Sequence, residues 1–295
     1  ITYHKVTQYF FYQQWADLKA YANEKGIKII GDMPIYVSAD SVEVWTMPEL
    51  FKVDAEKTPL CIAGVPADSF SDDGQLWGNP IYDWENHKKT NYAWWVYRIK
   101  EGIKLYDLLR IDHFKGFSDY WEIRGDYKTA NDGSWQPGPG RALFDVVRDE
   151  LGELPIIAEN LGYIDAKAEQ LLTDTAFPGM KILEFGFYDT EGKSIDAPHN
   201  CNKNSVAYNG THDNEVVNGW YDNLTDEQKA FVDAYTHRHE GEPITQTMLR
   251  TLFATVSDIA IATMQDILDK PAESRMNIPN TVGGNWQWRM LKEDL

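Results

Sequence analysis

Charged residues follow an apolar run in the stretch LLRIDHFKGF, which spans residues 108–117. In a β-strand successive side chains point to opposite faces, so Arg110 and Asp112 share one face, and Asp112 stands where the apolar run ends. An acid at such a point is suited to catalysis, and the adjacent His113 adds a hydrogen-bonding group. The alternative is a strand-end aspartate that caps a turn or pairs with Arg110.

Acidic residues also end other apolar segments. KIIGD ends at Asp32, PIIAE ends at Glu159, and Asp213 lies just beyond SVAYNGTH. If these strands are parallel, all the carboxylates emerge at the carboxyl edge of one sheet, where α/β enzymes place their active sites. Strand-end acids also serve as helix N-caps, and that alternative stays open.

The sequence has several acids, two of them next to a histidine, and no metal motif. This combination favours glycosyl transfer over other group transfers. Metal-assisted hydrolysis usually uses close ligand spacing such as HExxH, and a serine nucleophile lies in GxSxG. Neither pattern occurs in the sequence. A retaining glycosyl transfer needs one carboxylate as nucleophile and one protonated acid about 5 Å away. The set of acids agrees with that need.

Composition narrows the class of substrate. The 295 residues include 28 Lys and Arg against 46 Asp and Glu, which gives a formal net charge of −18. A chain this acidic disfavours a nucleic-acid backbone as partner, and a neutral substrate fits better. The 11 Trp and 16 Tyr are suited to packing on sugar faces as well as to filling a core.

Cysteine content and hydropathy bear on the compartment. Cys61 and Cys201 are too few for a disulfide framework or a zinc site, which is compatible with a reducing, cytoplasmic location. No apolar run reaches the ~18 residues of a membrane span, and the first residues lack a signal-peptide pattern. We therefore expect no membrane partner. The chain begins with Ile1, which indicates a processed or truncated piece of a longer protein.

The elements that must position these residues alternate between helices and short apolar strands. Helices are predicted near residues 8–26, 92–104, 141–152, 164–174 and 226–236, and strands at IKIIGDMPIYV, LLRID, PIIAEN, KILEFGF and SVAYNGTHDN. This alternation indicates an α/β fold with a parallel sheet buried on both faces, either doubly wound or closed into a barrel. Residues 38–84 are rich in Gly, Pro and Asp and are predicted as a long functional loop.

Six ordered segments resemble the amylomaltases, the 4-α-glucanotransferases of glycoside hydrolase family 77 in the α-amylase clan. These segments are GDMPIYV, GQLWGNPIYDW, RIDHFKGF, IIAENLG, GTHDN and RMNIPN. The resemblance runs from about Gln8 to Arg289 and implies a (β/α)₈ TIM barrel, present here as strands 3 to 8. It further implies one catalytic barrel portion over residues 1–295, in which the inserted region 38–84 covers the glucan.

The resemblance also implies roles for the acids. By motif, Asp112 matches the nucleophile, Glu159 the acid/base, and Asp213 the third acid, which stabilises an oxocarbenium-like sugar. Arg110 is expected to keep Asp112 ionised, whereas Glu159 needs surroundings that keep it protonated. Asn160 stands where the family usually has Asp, so a charge beside Glu159 is absent.

A further set of residues is implied to bind the glucan. Its members are Asp32, Asp68, Trp77, Asn79, Arg110, His113, Asn160, His212 and Asn277. The alternative for each histidine is to fix its neighbouring aspartate, and the alternative for Trp77 is to pack its own loop.

The implied activity is transfer of α-1,4-glucan segments by a retaining double displacement. The implied donor is a malto-oligosaccharide or starch-like glucan and the acceptor is glucose or another glucan, with no cofactor. Two alternatives remain open at this point: an α-glucan hydrolase that uses the same acids, and a catalytically silent glucan-binding fragment.

Overall fold

The computed structural model describes residues 2–67, 73–126, 129–162 and 164–294. It divides into two units, one up to Phe177 and the other from Pro178 onward. The strands are β1 Ile30–Met33, β2 Cys61–Val65, β3 Gln75–Pro80, β4 Leu108–Ile111, β5 Asp119–Arg124, β6 Ser134–Pro137, β7 Ile156–Ala158, β8 Gly179–Ile182, β9 Ser205–Tyr208 and β10 Ile259–Ile261. The α-helices are α1 Thr2–Glu24, α2 Val42–Thr46, α3 Trp84–Lys89, α4 Ala93–Leu105, α5 Arg141–Leu151, α6 Ala166–Thr175, α7 Leu183–Gly186, α8 Val217–Asn223, α9 Asp226–Thr236, α10 Ile244–Phe253 and α11 Met264–Ile267.

A parallel sheet of the order β1-β4-β7 forms the centre of the first unit. All three residues of β7 are buried, as expected for a strand covered on both faces. In β1 the ring of Tyr106 lies where a side chain at Gly31 would stand, with ring carbon Cδ2 2.1 Å from the position of a Cβ. Only glycine therefore fits between this strand and that ring.

The second sheet of this unit corrects the prediction that residues 38–84 form a loop. Strands β2 and β3 pair antiparallel with each other, and β2 also pairs with β5, so that the order is β3-β2-β5-β6. Cys61 pairs with Arg124, which lies 63 residues further along the chain. The region is ordered by partners distant in sequence, which local composition does not reveal. Part of SWQPGPG, also predicted as a loop, is strand β6.

Aromatic side chains fill the core of the first unit. Trp95, Phe117 and Phe144 are almost completely buried, and the centroids of the Trp95 and Phe117 rings lie 5.0 Å apart in an edge-to-face arrangement. Helix α4 brings Trp95 and Ile99 to the core because residues four apart share one helix face. Many of the aromatic residues thus serve packing.

The side chains of the first helix are mostly exposed. Helix α1 begins six residues before the predicted start, and none of its residues is fully buried. The indole of Trp15 donates to the Leu105 carbonyl at 2.8 Å, which ties α1 to the end of α4. Gly26 has a φ of 76° and terminates the helix as predicted. In the ranges given above, no helix combines the length and apolarity that crossing a membrane requires.

The second unit contains a parallel sheet of the order β8-β9-β10. Its core is formed by apolar side chains of α7, α8, α9 and α10 that meet the buried Ala207 of β9. Helix α9 begins at a capping box in which Thr225 and Gln228 satisfy each other's backbone N–H groups. The segment KILEFGF was predicted as one strand, but β8 ends at Ile182 and a single helical turn follows. Gly186 allows this turn, because a Cβ there would lie 2.7 Å from the Asp196 carbonyl oxygen.

One histidine of the first unit is completely buried among aromatic rings. His87 on α3 contacts the rings of Tyr82, Trp84 and Trp94, with centroid distances of 5.3 to 5.8 Å. Burial lowers the pKa of His87 from 6.5 to about 4. The folded protein therefore holds this imidazole neutral, whereas the unfolded chain protonates it near its ordinary pKa.

Acidification should weaken the fold through His87. Because the unfolded state takes up this proton first, stability is lost as the pH falls from 6.5 toward 4, by about 2 kcal/mol between roughly pH 7 and pH 5. Urea unfolding of the wild type and of His87→Gln at both pH values measures this loss as the difference between the two proteins, and from pH 7 to pH 5 the wild type should lose about 2 kcal/mol more than the variant. The exposed His4→Gln serves as control, and equal pH dependence in His87→Gln and the wild type would contradict the assignment.

Candidate active site

The register of the parallel strands brings three predicted acids of the first unit to one edge. Asp32 on β1 is the direct partner of Arg110 on β4, and Ile111 is the partner of Ala158 on β7. Continuing that register by one residue places Asp112 beside Glu159. The backbone supports this continuation, because the Glu159 N–H donates to the Ile111 carbonyl at 3.0 Å. The carboxyl ends of three neighbouring strands thus present Asp32, Asp112 and Glu159 together.

Arg110 joins two of these acids. Its Nη1 lies 2.6 and 2.7 Å from the two carboxylate oxygens of Asp32 and 3.0 Å from Oδ1 of Asp112. The predicted pairing of Arg110 with Asp112 is therefore present. Burial acts to lower the pKa of Arg110, but the carboxylates of Asp112, Asp32 and Glu159 raise it above its ordinary value. The guanidinium is a permanent positive charge that lies against both carboxyl groups.

Glu159 is held differently. Its two carboxyl oxygens accept the backbone N–H groups of His113 and Leu161, at 2.7 and 2.6 Å. Burial and the negative charge of Asp112 raise the pKa of Glu159 from 4.5 to about 7, against the opposing effects of Arg110 and the two N–H donors. The raised pKa agrees with the expectation that the surroundings of Glu159 keep it protonated.

Asp112 and Glu159 therefore have contrasting environments. The side chains of Asp32 and Asp112 are 44% and 42% exposed, whereas Glu159 is 8% exposed. A solvated carboxylate on a guanidinium and a buried carboxyl of raised pKa, close together, form the acid–base pattern of enzymes that use two carboxyl groups in different roles. The arrangement suits one acid to nucleophilic attack and the other to proton donation.

His113 turns the chain between these acids. Its φ of 51° is left-handed, a conformation uncommon for a residue with a side chain. Burial lowers the pKa of His113 to about 4, so the ring is neutral at neutral pH. Its Nε2 is buried and has no hydrogen-bond partner within the described ranges. This neutral ring nitrogen suits a substrate hydroxyl as partner.

Trp77 contacts His113 edge-on, with ring centroids 4.8 Å apart. The indole is half-buried and donates to Gln75 Oε1 at 3.1 Å, while its ring also packs against the core cluster of the first unit. Trp77 therefore combines the predicted position beside the acids with part of the packing role. The amide of Asn79 donates to the Val37 carbonyl at 2.9 Å and supports the fold locally.

Asn160 and Asp68 are two further residues that were predicted for the site. Asn160 follows Glu159 directly and is half-buried. Asp68 lies outside the described residues. In the part of the chain that the structure describes, no group of three or more His, Cys, Asp or Glu side chains is arranged to hold a metal ion.

The remaining predicted residues lie in the second unit and contact one another. Asp213 follows β9, and its Oδ1 accepts the Asn277 amide at 2.6 Å, while its Oδ2 lies 3.3 Å from Nε2 of His212. The Arg275 guanidinium donates to the backbone carbonyl of Asp213 at 2.7 Å. Asp213, His212 and Asn277 are therefore one group, and its convergence with the acids of the first unit stays a prediction.

Two residues of this group, Arg275 and Trp286, were not predicted from the sequence. Arg275 lies in the quoted motif RMNIPN, so a charged residue inside a recognised segment was an available signal. Trp286 places its ring 5.0 Å from that of His212, yet in the sequence it is one of 11 tryptophans without a distinctive pattern. Only the path of the chain shows that these residues surround Asp213.

Comparisons with known proteins give a consistent result. The family model described as 4-alpha-glucanotransferase, glycoside hydrolase family 77, matches residues 1–293. The 4-alpha-glucanotransferase of Streptococcus pneumoniae is 54% identical over the whole chain and 58% of its own length. That of Clostridium butyricum is 46% identical over 98% of the chain and 60% of its own length.

Solved structures agree with the fold. Amylomaltase from Streptococcus agalactiae in complex with acarbose is 73% identical, with a TM-score of 0.98 over 99% of this chain and 59% of that one. Amylomaltase from Corynebacterium glutamicum, 16% identical, gives a TM-score of 0.73 over 93% of this chain and 44% of that one and shares the fold. The expected incomplete α/β barrel of the TIM type is confirmed, and the chain spans 44 to 60% of the length of these relatives.

The raised pKa of Glu159 should make the fold less stable as the pH rises. In the unfolded chain this acid ionises near pH 4.5, but in the fold it ionises only near 7, so stability falls between these values. Between about pH 5 and pH 8 the loss is on the order of 2 kcal/mol. Glu159→Gln should lack this loss in urea unfolding, whereas the exposed Glu150→Gln should keep it. An unchanged pH dependence in Glu159→Gln would contradict the raised pKa.

Proposed function

The chain belongs to the 4-alpha-glucanotransferase family, glycoside hydrolase family 77, and we propose on that basis that the protein transfers α-1,4-glucan segments between glucans by a retaining mechanism. The observation that carries the proposal is the pair of unlike acids: Asp112 on the Arg110 guanidinium and the buried Glu159, whose pKa is raised to about 7. Retaining glycosyl transfer requires one ionised and one protonated carboxyl group in this relation.

In the first half-reaction Asp112 attacks the anomeric carbon of the donor. Glu159 donates its proton to the departing glycosidic oxygen, so that the leaving chain departs as an alcohol and a glucosyl ester forms on Asp112. In the second half-reaction the ionised Glu159 removes the proton from a hydroxyl group of the acceptor glucan. That oxygen displaces Asp112, which restores both acids and retains the configuration of the sugar.

The remaining site residues are assigned to sugar binding. His113 and His212 bind sugar hydroxyls, and Asp213 stabilises the positive charge that develops at the anomeric carbon. The neutral, half-buried ring of His113 supports its assignment, because a neutral imidazole can either donate to or accept from a hydroxyl. The short contact of Asp213 with Asn277 supports a carboxylate fixed in position before substrate arrives.

The region that includes Asp68, Trp77 and Asn79 is assigned to covering the glucan. Trp77 supplies an aromatic face near the acids, and exclusion of water by such a cover favours a sugar hydroxyl as the second nucleophile. The donor is a malto-oligosaccharide or starch-like glucan, and the acceptor is glucose or another glucan. A cytoplasmic role in carbohydrate metabolism is part of this proposal.

Transfer should be visible in the products formed from maltotriose. Incubation of the protein that carries this chain should give glucose together with longer glucans, because each donated segment reaches another sugar instead of water. Asp112→Asn is the inactive control. Chromatography of the products against time, with a reducing-end assay, distinguishes the outcomes. Release of reducing ends without chain lengthening would identify a hydrolase, and binding without turnover would identify a silent glucan-binding module.

The roles of the two acids should separate with an activated donor. The fluoride of α-glucosyl fluoride leaves with little help from a proton donor, so Glu159→Ala should still accumulate a glucosyl-enzyme on Asp112, measured by intact mass and peptide mapping. Asp112→Ala removes the attacking atom and should accumulate none. A label on Glu159 or Asp213, or continued transfer without any label, would contradict the assignment.

A further inference from the structure

Three fully buried polar side chains follow the three parallel strands of the second unit. Glu184 lies two residues beyond β8, Asn209 follows β9 directly, and Asp266 lies on α11 after β10. Each is 2% exposed or less. Polar groups so deeply buried are costly unless each has a partner, so their presence in the interior requires an explanation.

Glu184 meets the beginning of the segment from Asn209 to Val217 through its backbone N–H and the packing of its carboxyl group, and Asp266 holds the end through its side chain. At its beginning, the Glu184 N–H donates to the Asn209 carbonyl at 3.1 Å, and Oε1 of Glu184 lies 2.8 Å from where a Cβ of Gly210 would stand. At its end, the Val217 N–H donates to Oδ1 of Asp266 at 2.9 Å. The His212–Asp213 pair lies between these two attachments.

The polar atoms of the cluster are not all satisfied by protein groups. Oε1 of Glu184, Oδ2 of Asp266 and both amide atoms of Asn209 lack a hydrogen-bond partner in the described part of the chain. Two ionised carboxylates in such an interior would repel each other, and each would lose its hydration. A proton on one of them removes the repulsion and provides a donor.

The surroundings indicate which carboxyl group holds that proton. Burial raises the pKa of Glu184 well above its ordinary value, and Asp266 and Glu215 raise it further, against a lowering effect of Arg275. Arg275 is itself engaged by Glu215, with Nη1 3.4 Å from its carboxylate. The Tyr188 phenol, another neighbour, has a raised pKa because of partial burial and carries no charge at neutral pH. Burial also raises the pKa of Asp266, but the Val217 N–H that its carboxylate accepts opposes this rise, whereas Glu184 accepts no such bond in the described residues.

We propose that Glu184 is a positioning residue that stays protonated in the folded protein and, with Asn209 and Asp266, fixes the backbone that carries His212 and Asp213. Glu184 touches no reacting atom in this assignment. Its buried carboxyl group acts by packing against Gly210 at the start of the segment, so that Asp213 meets the sugar in one position. The catalytic part of this inference rests on the proposed function, whereas the protonation of Glu184 does not.

Infrared spectroscopy tests the protonation without any assay of activity. The wild type at about pH 8 should show the carbonyl band of a protonated carboxylic acid, and Glu184→Gln should lose that band. Asp196→Asn is the matched control and should keep the band, because Asp196 is another acid of this unit whose pKa burial raises, yet its carboxylate accepts the Ile182 N–H. A spectrum of Glu184→Gln identical to that of the wild type would overturn the proposal.

Kinetics test the positioning role. Glu184→Gln keeps the shape and hydrogen bonding of the neutral acid, so its kcat should stay within about threefold of the wild type. Glu184→Ala should lower kcat by about tenfold or more with a much smaller change in KM, because binding elsewhere in the glucan is retained. Asp196→Asn should change neither constant.

The outcomes separate the two proposals. If Glu184→Gln loses as much kcat as Glu184→Ala, or if Glu184→Ala retains full kcat, the positioning role is wrong. Folding is checked by circular dichroism and thermal unfolding, and the infrared result on Glu184→Gln decides the protonation even if Glu184→Ala does not fold. If the wild type transfers no glucan, the proposed function is wrong, and the infrared band still decides the state of Glu184.

Discussion

The contact of Arg110 with Asp32 and Asp112 is the constraint on which the site of the first unit depends. A guanidinium can be held in the interior only if carboxylates offset its lost hydration. The contact in turn requires the register that sets Asp32 opposite Arg110. It also requires Asp112 to stand two residues after Arg110, at the end of β4, where its carboxylate reaches the same guanidinium.

The same constraint produces the difference between Asp112 and Glu159. Because Arg110 offsets the charges of Asp32 and Asp112, no comparable cation is bonded to Glu159 in the described residues, and burial dominates its behaviour. The carboxyl edge of the sheet therefore provides, on neighbouring strands, one acid that contacts a guanidinium and one buried acid of raised pKa. The left-handed turn at His113 completes this arrangement, because it directs a backbone N–H at Glu159 and leaves a neutral ring beside Trp77.

Residues at strand ends were predictable from the sequence, and residues joined by long-range pairing were not. The runs before Asp112 and Glu159 are short and apolar, so both acids could be placed at the ends of buried strands from local pattern alone. Strands β2 and β3 escaped prediction because their Gly- and Pro-containing segments are ordered by β5 and β6, far along the chain. The turn at Leu183–Gly186 was missed for a similar reason, since its apolar residues read equally well as a strand. Arg275 and Trp286 reach Asp213 through the path of an irregular segment, which has no periodicity to read.

Main-chain groups hold Glu159, and this affects which amino-acid substitutions the site can accept during evolution. The donors to its two oxygens belong to the peptide units of His113 and Leu161, so their side chains take no part in holding the acid. Substitutions at those positions leave the donors in place, with proline the exception because it has no N–H. During evolution the side chains around this acid can therefore change, and with them the preference for one sugar over another. The position of the proton donor is kept, because the backbone determines it.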